Sequence, residues 1–278
     1  MTSPLAVVTG SNKGIGFAIV RGLCKRFEGN VYLTSRDVNR GLKAVEELEK
    51  EGLKPKFHQL DITDNSSIEK LRDYLKDKYG GLDILINNAA IAFKQDAKEP
   101  VAVQAEETLR VNYYAVLSTC DILFPIIRNG GRVINVSSSM GHLSIIPSED
   151  LRNQLKDPKL TVEGLSKLVQ QYINAAKEGT HAAEWGNSSY GVSKVVLSAL
   201  TLIQQRTLED KSKYIKVNSC HPGYVDTDMT SHKGPLTIDQ GAVSTLYLAL
   251  DAPDTVKGQY VWSDASIVQW DGSKPAPY

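Results

Sequence analysis

Cysteine is scarce in this chain: Cys24, Cys120 and Cys220 are the three among 278 residues, widely spaced and odd in number. That excludes a disulfide framework and a zinc-ligand cluster and leaves reduced thiols in apolar settings. The five histidines are scattered and add no metal pattern. Net charge is missing as well, because 32 basic residues balance 32 acidic ones. Nothing electrostatic therefore recruits nucleic acid or an anionic membrane. No apolar run approaches the length of a membrane span, and Met1-Thr2-Ser3-Pro4 leads straight into an apolar strand without the regions of a secretory leader. A soluble, cytoplasmic protein is the expectation. No compositional break divides the chain, and 41% hydrophobic residues supply one large core, so one domain over 1–278 is expected.

What the chain does contain is alternation. Short β-branched runs at Leu5–Thr9, Val31–Ser35, Lys56–Leu60, Asp83–Asn87, Arg132–Val136 and Lys216–Cys220 read as strands, each followed by a helix or loop. Asn39–Glu51, with Leu42, Val45 and Leu48, and Ser66–Tyr79, with Ile68, Leu71 and Leu75, carry helical spacing whose apolar faces should cover a sheet. This predicts an α/β fold: a doubly wound parallel sheet of Rossmann type. About 141–185 the alternation breaks for longer than a strand-to-helix loop needs. Leu165, Leu168, Val169, Tyr172, Ile173 and Ala176 form a helical stripe that Thr161 can cap, and a shorter helix begins after Pro147 with Ser148 as cap. This helical insert reads as a packing attachment, with a mobile lid as the alternative.

Two motifs carry chemistry. Thr9-Gly10-Ser11-Asn12-Lys13-Gly14-Ile15-Gly16 links a strand to a helix, where backbone N–H groups and a helix dipole meet a pyrophosphate. Its spacing is Gly-x-x-x-Gly-x-Gly, and alone it is as often structural as cofactor-binding. Arg36 ends the second strand, where an acid would favour NAD(H) and an arginine the 2′-phosphate of NADP(H). Lys13 can reach the same phosphate, although each cation alone would read as a solvated surface group and Asp37 stands next door. Downstream, Tyr190 and Lys194 lie four apart on a helix predicted from about Ser189 to Lys211. An ammonium ~4 Å from a phenol, at an effective dielectric of ~20, supplies roughly 4 kcal/mol, about three units off a tyrosine pKa of about 10. Asn135-Val136-Ser137-Ser138-Ser139 ends a strand where a hydroxyl can meet a substrate carbonyl.

With Asn87-Asn88-Ala89-Ala90, Asn112 and Pro222-Gly223-Tyr224-Val225-Asp226-Thr227 in the same order, the chain resembles the short-chain dehydrogenase/reductases over nearly its whole length. Leu82–Asn88, Ile91–Lys94, Phe57–Ile62 and the insert make it most similar to the monomeric NADPH-dependent carbonyl reductases. The resemblance implies Tyr190 as general acid, Lys194 holding the nicotinamide ribose and lowering the tyrosine pKa, Ser138 orienting the carbonyl, and Asn112 anchoring a relay water. Ser137 and Ser139 stay open as alternatives to Ser138. For NADP(H) it implies Gly10, Asn12, Lys13, Gly14, Ile15, Gly16 and Arg36, Asp61 and Ile62 near adenine, Asn88 near ribose, and Pro222, Gly223, Val225 and Thr227 near the nicotinamide, beside Tyr190 and Lys194. No metal is implied. Phe93, Met140, His142, Trp185 and Tyr224 would line an adaptable pocket for ketones, aldehydes or quinones. Lys94 and Gln104 match positions that contact glutathione in relatives, so glutathione adducts join the expected small-molecule carbonyl substrates.

An insert covering the tyrosine helix, which pairs between subunits in oligomeric relatives, implies a monomer. The chain departs from the pattern at Ala90, where glycine is usual, and at Cys220-His221-Pro222-Gly223-Tyr224, where the mammalian carbonyl reductases carry Cys-Cys-Pro-Gly-Trp. Two other functions remain open: a dedicated steroid, pterin or prostanoid oxidoreductase, and a non-catalytic NADP(H)-sensing protein, which would be expected to have lost Tyr190, Lys194 or Ser138.

Overall fold

Strand alternation puts Leu5 and Val7 on one face of a sheet and Ala6 and Val8 on the other, and both faces are buried under helices. The computed structural model describes residues 3–276 apart from Gln95 and Ser212. Met1, Thr2, Pro277 and Tyr278, which the sequence reading assigns to the same unit, lie outside the described residues. The first half runs β1 (Leu5–Val8), α1 (Gly14–Arg26), β2 (Asn30–Ser35), α2 (Val38–Lys50), β3 (Lys56–Gln59), α3 (Asn65–Tyr79) and β4 (Leu82–Asn87). Next, α4 (Val101–Leu109) passes through a π-helical turn at Arg110–Tyr114 into α5 (Ala115–Leu123), which leads to β5 (Ile127–Val136). The insert supplies α6 (Glu149–Lys156), α7 (Val162–Glu178) and α8 (Ala182–Trp185). After it come α9 (Ser189–Asp210), β6 (Lys216–Cys220), the short α10 (Ile238–Gly241) and α11 (Val243–Leu246), β7 (Tyr260–Val261) and β8 (Ile267–Val268).

The sheet order is β3-β2-β1-β4-β5-β6-β7-β8, parallel throughout except for β8. The chain reverses its direction of growth between β1 and β4, and such a switch point opens a crevice at the carboxyl ends of the strands. The six strands expected from sequence are present within a few residues. Helix starts follow the expected chemistry: the hydroxyls of Ser148, Thr161 and Ser188 accept N–H bonds from Leu151, Gly164 and Gly191.

All six residues of the α7 stripe are buried. They pack on α4 and α9, and Tyr172 Oη donates to Ser189 Oγ at the start of α9, 2.9 Å away. The Arg206 guanidinium of α9 donates to the Leu160 carbonyl (2.7 Å), and the hydroxyls of Tyr113 and Ser166 share a bond of 2.8 Å. This is a packing seam. One expectation is corrected: Leu42 is 46% exposed, and α2 buries Gly41 and Ala44 beside the expected Leu48. A Cβ at Gly41 would stand 2.0 Å from the Phe57 ring, so α2 sits directly on β3 at this point and turns Leu42 outward. Among the described residues no helix is long and apolar enough to cross a membrane, and no metal-ligand cluster forms.

Candidate active site

The residues expected to handle the cofactor fall in the segments that follow β1, β2, β3, β4 and β6, and on α9. Beyond β1, Gly10 has φ of 59° and Gly14, with the same φ, opens α1. Gly16 is a close approach, since a Cβ there would lie 2.4 Å from Asn88 Nδ2 and 2.8 Å from Ser11 Cα. Asn88 fastens this turn to β4 by donating from Nδ2 to the carbonyls of Thr9 (3.0 Å) and Gly10 (3.1 Å). The Thr9 hydroxyl accepts the N–H groups of Asn88 and Ala89, both at 3.0 Å. Thr9 was missing from the sequence-derived set; its place between strand and glycine turn was the available signal. Asn12 and Ile15 complete the turn. The substitution at Ala90 is accommodated, because the residue is not among the described non-glycine positions with positive φ.

Beyond β2, Arg36 is exposed and makes no salt bridge among the described residues. Asp37 is otherwise engaged: it caps α2 by accepting from Arg40 N (2.9 Å) and pairs with Arg40 Nε (3.2 Å). The acid that clouded the cofactor reading is thus occupied within its own helix, leaving Arg36 as the cation at the strand end. Beyond β3, the Asp61 carboxylate accepts from Thr63 N and Oγ1 at 2.9 and 2.7 Å, and Ile62 is buried. Lys13 pairs with Asp228 at 2.6 Å across two exposed side chains. Thr227 starts the turn that carries Asp228. Pro222 and Gly223 follow β6, and the Val225 side chain is buried against Gly241, so only its main chain is offered.

Beyond β5, the three serines separate. Ser137 is buried, and its hydroxyl donates to the Lys194 carbonyl (3.2 Å) and meets Ser198 Oγ (2.9 Å), so it is tied to α9. Ser138 instead has its hydroxyl beside the Tyr190 phenol, whose pKa it works to lower, and its Oγ accepts from Met140 N at 3.1 Å. Lys194, 3% exposed, donates from Nζ to the Val136 carbonyl at 2.7 Å, and its charge lies 5.7 Å from the Tyr190 ring centroid. Burial brings this lysine down to about 8. Burial also pushes the Tyr190 phenol up, against the opposing influence of the Ser138 hydroxyl. Desolvation dominates at this phenol, and the Lys194 ammonium is directed at the Val136 carbonyl. The result is a protonated phenol beside a hydroxyl.

Asn112 lies in the π-turn, a frequent mark of functional helices. Its Nδ2 donates to the Ile91 carbonyl (2.9 Å) and Ser193 Oγ (3.0 Å), and Oδ1 accepts from Ile91 N (2.9 Å). The carboxamide thus binds the segment after β4 to the tyrosine helix.

A family profile described as short chain dehydrogenase matches residues 4–148. Carbonyl reductase (NADPH) 3 of Rattus norvegicus is 46% identical over 274 residues, covering 96% of this chain and 99% of the rat protein. The chain belongs to the short chain dehydrogenase family. Carbonyl reductase (NADPH) 1 of Homo sapiens is 44% identical over 272 residues, with 96% and 98% of the two chains covered. Among solved structures, salutaridine reductase from Papaver somniferum aligns with a TM-score of 0.83 at 32% identity, covering 92% of this chain and 99% of that one.

In this short chain dehydrogenase the expected substrate residues are only partly assembled. Met140 leans over the first turn of α9, where a Cβ at Gly191 would stand 3.0 Å from its Cε. Phe93 and Tyr224 are half-buried. Trp185 is corrected: it is 2% exposed and packs on Tyr172 with ring centroids 5.4 Å apart, because the insert needs a large side chain to close its own core. His142 is corrected likewise; it is fully buried, bonded to Ser144 Oγ (2.9 Å) and the Gln269 carbonyl (3.2 Å). Nearby, Trp270 Nε1 donates to the Gly141 carbonyl (2.7 Å) and Leu143 N to the Trp270 carbonyl (3.1 Å). Lys94 donates to the Asp228 carbonyl and to Ser231 Oγ, while Gln104 donates to the Glu99 carbonyl. Asp228, met by Lys13 and Lys94 alike, had no motif to announce it.

Proposed function

We propose that this protein is an NADPH-dependent carbonyl reductase acting on ketones, aldehydes or quinones. The carrying observation is the convergence of the Tyr190 phenol, the Ser138 hydroxyl and the buried Lys194 ammonium beyond β5, in the same strand-end crevice as the glycine turn beyond β1. The fit for the cofactor rests on that turn, closed to any Cβ at Gly16, and on Arg36 standing free of Asp37 at the 2′-phosphate position. The glycine turn and Arg36 would hold NADPH, which would supply the hydride for the carbonyl carbon. Ser138 and Tyr190 hold the carbonyl oxygen between two hydroxyls, and Tyr190, kept protonated by burial, transfers its proton to that oxygen as negative charge develops. Lys194 fixes the strand end through Val136 and adds positive charge beside the phenol. Asn112 holds the segment after β4 against α9.

Small-molecule carbonyl compounds are the substrates. Glutathione adducts fall within this reading when Lys94 exchanges Asp228 and Ser231 for their carboxylates. With α7 seated on α4 and α9, the enzyme works as a monomer, and three free thiols suit the cytoplasm.

Loss of NADPH absorbance with a simple quinone or aromatic aldehyde, run beside NADH and Tyr190→Phe, tests the assignment. Turnover with NADPH, much weaker turnover with NADH, and a loss of about 10²–10⁴-fold in the variant are expected. Binding of NADPH without reduction of any carbonyl overturns the reductase in favour of a sensor, and a fully active variant removes Tyr190 as the proton donor.

A further inference from the structure

The peptide joining Ser138 to Ser139 has left the sheet. The last ladder bond of this edge runs from Ser137 N to the Cys220 carbonyl at 2.8 Å, so the next carbonyl and N–H have no strand to pair with. A buried peptide with neither group satisfied is strongly disfavoured. Within its own turn the Ser138 carbonyl accepts from Gly141 N at 2.8 Å; a second bond to it, and the bond from Ser139 N, involve side chains of β7 and of the residue that follows β6. The Tyr260 hydroxyl donates to the Ser138 carbonyl, and Ser139 N donates to His221 Nδ1 at 2.9 Å. Both ends of one peptide plane, the one bearing the Ser138 side chain, are thereby held.

The two holding groups are themselves fixed. Tyr260 opens β7, in register with Ser219 of β6, and His221 directly follows β6, its N–H donating to the Val261 carbonyl at 2.8 Å. The Trp262 ring packs against both, at 4.5 Å from His221 and 6.0 Å from Tyr260 between centroids. His221 Nδ1 also accepts from Gly223 N at 3.3 Å. With donors on Nδ1, the proton of the neutral imidazole resides on Nε2. One lone pair thus joins the Ser138 turn to the loop that follows β6.

We propose that His221 and Tyr260 are positioning residues, which clamp the Ser138–Ser139 peptide so that the Ser138 hydroxyl stays aimed at Tyr190. The inference rests on the reductase reading for its kinetic consequence. It also gives a role to one of the positions where this chain departs from the mammalian carbonyl reductases: at 221 a cysteine would present no ring nitrogen to the two N–H groups.

With NADPH and an aromatic aldehyde, Tyr260→Phe and His221→Phe should each lower kcat about tenfold with the KM for NADPH within about twofold of wild type, whereas His221→Asn, whose Oδ1 replaces Nδ1 as acceptor, should stay within about threefold. In a Ser138→Ala background the same changes should cost less than about twofold, because the hydroxyl they position is gone. Equal losses in both backgrounds, or no loss in either, would overturn the clamp. Amide hydrogen exchange reads the clamp without turnover: the Ser139 and Gly223 amides should exchange at least about tenfold faster in His221→Phe than in wild type and His221→Asn. Unchanged exchange overturns it. A wild-type protein that reduces no carbonyl defeats the reductase reading alone, and the exchange rates then decide the clamp. Tyr260→Phe, nearly isosteric, serves as the second variant should His221→Phe fail to fold.

Discussion

Lys194 carries its charge where water scarcely reaches. With Val136 as its hydrogen-bond acceptor, burial draws its pKa from 10.5 to about 8. A base shifted downward on folding destabilises the native state below the folded value, and that penalty is relieved as pH rises from about 8 through the unfolded value. For binding, the sign is opposite: the ammonium is present below about 8 and lost above it. The kcat/KM for NADPH should therefore decline above about pH 8, and Lys194→Arg, which keeps its proton, should move that decline upward by at least about one unit. A decline that stays in place belongs to another group. Tyr190 is not that group, because burial raises its pKa and keeps it protonated over the same range. Tyr190 and Lys194 were legible as a pair from their spacing, whereas Ser138 could be told from Ser137 and Ser139 only once the hydroxyl of Ser137 was seen tied to α9. The direction of the phenol's shift was not legible, since it depends on how deeply tertiary packing buries the ring.

At the scale of elements, the insert behaves as a seam. Leu165 is fully buried on α7, and Leu165→Ala should cost about 2–5 kcal/mol of stability. Tyr172→Phe, which loses only the bond to Ser189 Oγ, should cost about 1 kcal/mol. Denaturant midpoints check both; a Leu165→Ala protein as stable as wild type would mean that the stripe does not hold the insert in place. The period of this stripe and its cap at Thr161 were readable because both are local. The partners of Trp185 and His142 were not, because an aromatic residue near a site in sequence can as easily close a neighbouring core. The strands β7 and β8, two residues each, are too short to show any alternation. Tyr260 was consequently invisible until the sheet edge had been built.

For the whole molecule, α7 packs on α4 and α9, and the monomer proposed above is the expectation to test. Sedimentation velocity should give one species with the mass of a single chain across micromolar concentrations, and a stable dimer would show that some other face associates. The doubly wound parallel sheet followed from strand alternation, while its strand order and the coupling of β7 to the centre did not. That coupling bears on how the enzyme is made. Trp270 and Gln269 are bonded to the turns just after Ser138, so a nascent chain that has emerged only through α9 already contains Tyr190, Lys194, Ser138 and Asn112 but cannot yet set them. Competence arrives late in synthesis, when residue 270 folds back more than a hundred residues to its bonds with Gly141 and Leu143.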